Sequence, residues 1–392
     1  MKYTNGELCI DGVSLISIAK EFGTPLYVYS EKTLKDRIGI VKDTIGRIGD
    51  IYYAVKANAN PYLLKIISSN GLGADTVSIG EIKRAIASGF PKNRIAFSGV
   101  GKRADELIFA INNNILINAE STEEIELIST IKKGIRIGIR VNPDVSVATH
   151  RYITTGRSEN KFGIPIDSAV DAFLFAKERG LYPDTIHTHI GSQISEIEPY
   201  METLNKLLEL KEMLKSKGIE IEKIDLGGGF GIAYKDEEEF PIKAFAEKIL
   251  EMKIKDVKLL FEPGRFIIGP ASILLTKVLY RKFYNKNFII VDAGMNDFIR
   301  PALYGAYHKV LSCRKRGSKN ITADIVGPIC ESSDFIAKER TIELPERGDY
   351  LAVLDTGAYG FSMSSNYNLR SRPAEVIIRN GKAKLIRERE NL

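Results

Sequence analysis

The chain has 392 residues, 44% of them hydrophobic and 27% charged, and its 56 basic and 50 acidic side chains leave a net charge of +6. That length exceeds what a single core usually organises, so two domains are expected, and the small, scattered basic excess forms none of the tracts that follow nucleic acid. Cys9, Cys313 and Cys330 are an odd number without CxxC spacing, MKYTNGELCIDG has no apolar signal-peptide core, and no apolar run reaches membrane-span length; together these indicate a cytoplasmic chain with neither a disulfide framework nor a structural zinc site.

From the N-terminus, TPLYVYS (24–30) reads as a strand or extended entry segment. Eight short apolar runs follow: IYYAV (51–55), GLGAD (71–75), RIAFS (94–98), NILIN (114–118), RIGIRV (136–141), TIHTHI (185–190), KIDLG (223–227) and KLLFE (258–262). Helical patterns separate most of them, such as STEEIELISTIKK (121–133, opening on a capping box), residues 199–218 and AFAEKILEMK (244–253). Strands alternating with helices imply parallel pairing. Their count suggests a closed (β/α)8 barrel, although an open doubly wound sheet would also alternate. Past residue 267 the apolar runs ASILLTKVLY, NFIIVDAG, ITADIVG, DYLAVLD and AEVIIR come with little helix between them, as in an all-β domain. The expected division is a barrel over 27–266 and a β domain over 267–392 that also takes in 1–26.

A barrel places its chemistry at the C-terminal ends of its strands. Lys56, Asp75, Ser98, Asn118, Arg140 with Asn142, His187 with His189, the 227–231 glycines and Glu262 all stand there. Wet loops explain the asparagines and serine. They do not explain a lysine set directly after five apolar residues in IYYAVKANAN, because a lone buried ammonium is costly unless paired, neutral or covalently occupied. IDLGGGFG (224–231) has four glycines in five residues and no GK[ST], so it is either a tight turn or a backbone cradle for phosphate, not a P-loop. In LLFEPGRF, Glu262 and Arg265 could be a local ion pair, or a carboxylate for a ring nitrogen beside an arginine for an anion. In IHTHIGSQI the two histidines point the same way on a strand. A metal would need a third matching ligand, and His150 and His308 have no partner pattern, so no metal is expected. The imidazoles remain either core histidines or a flat surface for an aromatic cofactor, with Ser192 offering a hydroxyl to its phosphate. In VGPICESSD, Cys330 is a small buried thiol or, with Glu331 beside it, a proton-handling group. A lysine, a phosphate cradle, a carboxylate for a ring nitrogen, a flat imidazole and a thiol acid are together what pyridoxal phosphate chemistry requires.

The motifs YAVKAN, GADTVSIGE, RVNPD, ENKFGI, HIGSQI, DLGGGFG, EPGR, DAGMNDFIRPALY, VGPICESSD and DTGAYGFSMSSNYN, in that order, resemble the signatures of the diaminopimelate decarboxylase family. That family lies in the alanine racemase-like class of pyridoxal-phosphate enzymes. The resemblance spans almost the whole chain. It implies that Lys56 is the Schiff-base lysine with Asp75 close by, that His189 stacks on the cofactor ring, and that Ser192 with the Gly228–Gly229 turn holds the phosphate. It implies Glu262 on the pyridine nitrogen, Gly264 and Arg265 beside the cofactor, and Tyr359 by the phosphate and substrate. Arg265, Arg300 and Tyr304 would bind substrate carboxylates, Cys330 would protonate Cα, and Glu331 would recognise the distal amino group. Cys330 and Glu331 would enter the partner's site in a homodimer. The implied reaction converts meso-2,6-diaminopimelate to L-lysine and carbon dioxide, the last step of lysine biosynthesis. A related decarboxylase for another basic amino acid or carboxynorspermidine is the alternative, and a non-catalytic relative is disfavoured because Lys56 and Cys330 both stand. Arg151, Gly305 and Leu369 depart from the family pattern and bear on loop shape and substrate tuning.

Overall fold

A computed structural model of the chain describes residues 1–146 and 161–392. His150, Arg151 and the first two residues of ENKFGI lie outside the described residues.

Contacts divide the chain into two compact units, one of residues 38–232 with 238–266, the other of residues 1–37, 233–237 and 267–392. The first is the barrel. Its strands are β1 (Gly49–Ala54), β2 (Gly73–Thr76), β3 (Ile95–Phe97), β4 (Leu116–Ala119), β5 (Arg136–Asn142), β6 (Tyr182–His187), β7 (Lys223–Asp225) and β8 (Lys258–Phe261). Each pairs in parallel with the next, and β8 returns to β1 with Leu260 opposite Asp50, so the sheet has closed. Closure decides the open-sheet alternative in favour of the barrel. The strands span three to seven residues; Asp75, Asn118, Arg140, Asn142, His187 and Asp225 lie within them near their C-terminal ends, whereas Lys56, Ser98, His189 and Glu262 lie just beyond.

Capping side chains start the outer helices where the sequence offers them. Asn60 accepts from the Tyr62 amide before Pro61–Ser69, Ser78 accepts from Glu81 before Ile79–Ala87, and Ser121 accepts from Glu124 before Thr122–Ile131. The helix Glu198–Ser216 buries Tyr200, whose ring packs against Phe230, Phe240 and Phe245 with centroids 5.2, 5.3 and 5.4 Å away. Its hydroxyl donates to the Gly228 carbonyl at 2.7 Å. An apolar cluster thereby fixes the backbone of the glycine turn that follows β7.

The second unit is built on a long strand, β9 (Ser272–Phe283), followed by β10 (Asn287–Val291), β11 (Val310–Ser312), β12 (Asn320–Val326), β13 (Phe335–Glu343), β14 (Tyr350–Val353), β15 (Ala374–Arg379) and β16 (Lys382–Arg387). The main path runs β13-β12-β10-β9, then Leu26–Ser30, then β15-β16, and β14 pairs with β9 and β11. Leu26–Ser30 is antiparallel to β9 and parallel to β15. Residues 27–37, grouped with the barrel by sequence, thus lie in this unit. Alternation along the strand sends Leu26 and Val28 into a core with Ile273, Leu275, Ala352, Val376 and Ile378. The sequence reading passed over β13 (FIAKERTIE) and β16 (KAKLIR) because charges interrupt their apolar pattern. Both are the outer strands of the path, where charge discourages edge-to-edge pairing.

Replacing Tyr200 by Phe keeps the aromatic packing and removes one buried hydrogen bond. The expected cost is about 1 kcal/mol of stability in denaturant unfolding, with an unchanged m value; a change near zero would show that the Gly228 carbonyl does not depend on this hydroxyl.

Candidate active site

The rim is assembled from loops that begin where the strands stop. After β1, a single 3-10 turn, Val55–Ala57, turns Lys56 out of the strand. Its Nζ donates to Asp75 Oδ2, at the end of β2, at 2.9 Å. Asp75 is fully buried, whereas the lysine side chain is 33% exposed. Burial raises the Asp75 pKa, the charge of Glu262 raises it further, and Lys56 opposes both.

Strand β6 ends at His187, so His189 is not a second residue of that strand as the spacing suggested; it lies in the loop beyond. The break gives the two rings separate tasks. His189 is half-buried, and its Nδ1 accepts the Gly228 N–H at 3.1 Å. Desolvation, with Lys56 and Arg140 nearby, holds its pKa well below the usual value, so the ring is neutral with its proton on Nε2. His187 is buried beneath the rim, with Nε2 3.4 Å from Glu262 Oε1.

Glu262 directly follows β8. Burial alone would raise its pKa, but the His187 imidazole and then the Lys56 amine outweigh it and bring the value down to about 2. Asp225, the last residue of β7, behaves in the opposite sense: burial and the neighbouring Glu262 charge push its carboxyl well above the usual range. Glu262 therefore carries the charge and Asp225 the proton. His187, Asp225 and Glu262 present ligand atoms within 4.8 Å of one another. Such a set can hold a cation, and the charged carboxylate in it can equally hold a protonated ring nitrogen.

Beside this cluster, Arg265 Nη2 donates to Ser192 Oγ at 3.0 Å. A Cβ on Gly228 would lie 2.1 Å from the Glu262 carbonyl oxygen, and one on Gly229, at φ +99°, 2.3 Å from that of Gly191. Only glycine lets the three loops after β6, β7 and β8 approach so closely. Gly264 is similarly enclosed, its Cβ position 3.0 Å from the Cβ atoms of Ala54 and Ala57. Elsewhere on the rim, Arg140 pairs with buried Glu120 at 2.8 Å, and Asn118 donates to Ser98 at 3.1 Å.

The structure thus brings together Lys56, Asp75, His189, Ser192, Gly228, Gly229, Glu262, Gly264 and Arg265. Sequence reasoning did not single out Asp225; the only signal was a carboxylate closing an apolar strand run. The remaining predicted residues belong to the second unit. Arg300 is buried in the short helix Arg300–Tyr304, where Tyr304 is half-buried. Cys330 and Glu331 are exposed; the Cys330 amide donates to Asn368 Oδ1 at 3.1 Å, and Glu331 Oε1 accepts from the Tyr367 hydroxyl at 2.5 Å. The bland reading of Cys330 as a buried thiol therefore does not hold. Tyr359 adopts the left-handed region at φ +56°.

Comparison with known proteins places this geometry among relatives. Residues 31–269 match the family described as pyridoxal-dependent decarboxylase, pyridoxal binding domain. The chain is 48% identical over 400 aligned residues to the diaminopimelate decarboxylase of Aquifex aeolicus, covering 100% of this chain and 95% of that protein. Among solved structures it resembles Helicobacter pylori diaminopimelate decarboxylase complexed with L-lysine (40% identity, TM-score 0.91, 96% of each chain). It also resembles the M. jannaschii enzyme in co-complex with L-lysine, at 37% identity and a TM-score of 0.94 over 100% of this chain and 95% of that one.

The protonated Asp225 makes a prediction. Because its folded pKa lies above its unfolded one, the native state keeps a proton that the unfolded chain releases. That contribution is complete below about pH 4 and is lost as pH rises toward the folded pKa. Asp225→Asn mimics the protonated form and can keep the 2.9 Å contact from the Gly227 amide. Denaturant unfolding of the cofactor-free protein at pH 5 and pH 8 is expected to show the wild type losing more stability than the variant. Equal losses would place the proton elsewhere.

Proposed function

This chain belongs to the diaminopimelate decarboxylase family of pyridoxal-dependent decarboxylases, and from that membership we infer that it removes carbon dioxide from meso-2,6-diaminopimelate to give L-lysine, closing lysine biosynthesis. The residues present fit pyridoxal phosphate on three counts. Glu262 Oε1 is buried without a hydrogen-bond partner among the described residues, Gly228 and Gly229 leave the backbone bare where a phosphate would be cradled, and Ser192 and Arg265 stand together as donors. When bound, the cofactor supplies an electron-poor ring that accepts the electron pair left at Cα as carbon dioxide departs.

In the proposed assignment Lys56 holds the cofactor through its amine, and Asp75 orients that amine. His189 offers a neutral ring face for stacking. Ionised Glu262 holds the proton of the ring nitrogen, which keeps the ring electron-poor. Ser192 and the Gly228–Gly229 turn hold the phosphate, with Gly264 and Arg265 alongside and Tyr359 contributing. Arg265, Arg300, Tyr304 and Tyr359 take the substrate, and Glu331 takes its distal amino group. Cys330 delivers the proton to Cα. We further propose a homodimer in which Cys330 and Glu331 serve the partner's site; their exposure supports this, since a thiol acid serving its own barrel has no need to face outward. Three free cysteines, and no helix among the described residues long and apolar enough to cross a membrane, support a cytoplasmic setting.

The Lys56–Asp75 contact at the rim, beside an ionised buried Glu262, carries this reading. The direct test supplies purified protein and pyridoxal phosphate with meso-2,6-diaminopimelate and measures carbon dioxide and lysine. Release from carboxynorspermidine or another basic amino acid, and none from diaminopimelate, would transfer the substrate assignment to the alternative. Lys56→Ala is expected to lower kcat by more than about a thousandfold and to abolish the visible absorption band that borohydride also removes, with the far-UV spectrum unchanged; a collapsed spectrum would make the lysine structural. Cys330→Ala is expected to slow turnover by roughly a hundredfold while cofactor affinity stays put, and equal losses in both would count against a proton donor.

A further inference from the structure

We propose that His308 is a positioning residue: as a neutral imidazole it fixes the guanidinium of Arg300 for the substrate's distal carboxylate. This rests on the reading of Arg300 as a substrate contact. The support for His308 itself is geometric.

Arg300 Nη1 lies 2.6 Å from His308 Nε2 and donates to the Tyr234 hydroxyl at 3.1 Å, and its guanidinium carbon sits 5.0 Å from the Tyr234 ring centroid. His308 is fully buried. Its other nitrogen, Nδ1, lies 2.8 Å from the Leu354 carbonyl. Arginine has donors only and a carbonyl oxygen accepts only. Nε2 must therefore accept and Nδ1 must carry the hydrogen. Both contacts select the same neutral tautomer: a proton on Nε2 would remove the acceptor for Arg300, and a shift of tautomer would lose both contacts.

The ring has little freedom to leave this pose. Tyr234 and Phe298 pack edge-on against it, with centroids 4.8 and 4.6 Å away and interplanar angles of 68° and 79°. Its anchor is part of the sheet: Leu354 directly follows β14, and its amide donates to the Lys309 carbonyl at 2.9 Å. The chain returns from Arg300 to His308 through Gly305, which ends the short helix in the left-handed region at φ +62°. A carboxylate in place of this imidazole would orient the guanidinium but spend its charge. A neutral acceptor orients it and leaves the charge for an anionic ligand.

The chemistry of the ligands separates this role from general support of the fold. Decarboxylation removes the carboxylate at the reacting carbon, so L-lysine keeps the distal one and 1,5-diaminopentane has neither. In the holoenzyme, His308→Asn keeps an amide N–H near Leu354 and loses the acceptor for Arg300. Its KM for meso-2,6-diaminopimelate and its Ki for L-lysine are expected to rise about tenfold, the scale of one charge-assisted hydrogen bond. Its kcat should stay within about twofold, as should its Ki for 1,5-diaminopentane. His308→Gln, whose side-chain oxygen reaches the position of Nε2, should recover most of the loss, and His308→Asn should add nothing in an Arg300→Ala background. If His308→Asn does not fold, His308→Phe, which keeps the ring packing, takes its place with the same expectations. Values within twofold of wild type for all three ligands, or equal rises for all three, overturn the role of His308. If Arg300→Ala itself leaves KM and the lysine Ki unchanged, the substrate reading of Arg300 fails instead, and the positioning role falls with it.

Discussion

Asp75, Asp225 and Glu262, three of the buried carboxyl groups at the end of the barrel, lie together near the Lys56 amine and the His187 and His189 imidazoles. A low-dielectric interior does not hold that many like charges at once. The conflict is resolved by unequal sharing: Glu262 keeps its charge opposite His187, Asp225 keeps a proton, and Asp75 is paired with Lys56. The rest of the rim follows from this allocation. A charged carboxylate at the base of the cup and a neutral ring at its side give the site its polarity, and the glycine turns are what permit the loops bearing them to meet.

The sharing also explains why the site is built on strand ends and not on helices. Each of the principal groups comes from a β–α loop or from the last two residues of a strand, so barrel closure sets the framework for their separations. The Tyr200 cluster then holds the most permissive of those loops from behind. Flexibility that four glycines would otherwise confer on residues 227–231 is removed by aromatic packing and by one hydroxyl on the Gly228 carbonyl.

Much of this was legible in the sequence, and the failures have physical causes. The eight barrel strands were readable because a parallel sheet covered on both faces must be nearly all apolar, and such runs stand out. Lys56 was readable because a charge at the end of such a run demands a reason. The spacing of His187 and His189 misled because strand alternation was carried past the point where β6 stops. Asp225 was passed over because nothing local distinguishes a carboxyl that will be protonated from one that will not; that depends on Glu262, which arrives from another strand. His308 was invisible for the same reason. Its partners are Arg300, eight residues back, and the carbonyl of Leu354, and only folding shows that both of its nitrogens are engaged. Strands β13 and β16 escaped because edge strands are selected for charge, which is the opposite of what an apolar search detects.

The strand Leu26–Ser30 lies between β9 and β15, so the sheet of the second unit is stitched from both ends of the chain. Every residue needed for the barrel is synthesised between the two halves of that sheet. On a ribosome, LYVYS emerges early and waits for Ser272–Leu275, a gap of tens of seconds at roughly 5–20 residues per second. Over that interval a strand that is wholly buried in the finished protein has no sheet to join, while the barrel behind it can already fold. The order of translation therefore favours a completed cofactor-binding barrel trailing an unfinished second unit, and places the greatest demand for chaperone protection on a segment near the N-terminus, not on the large parallel sheet.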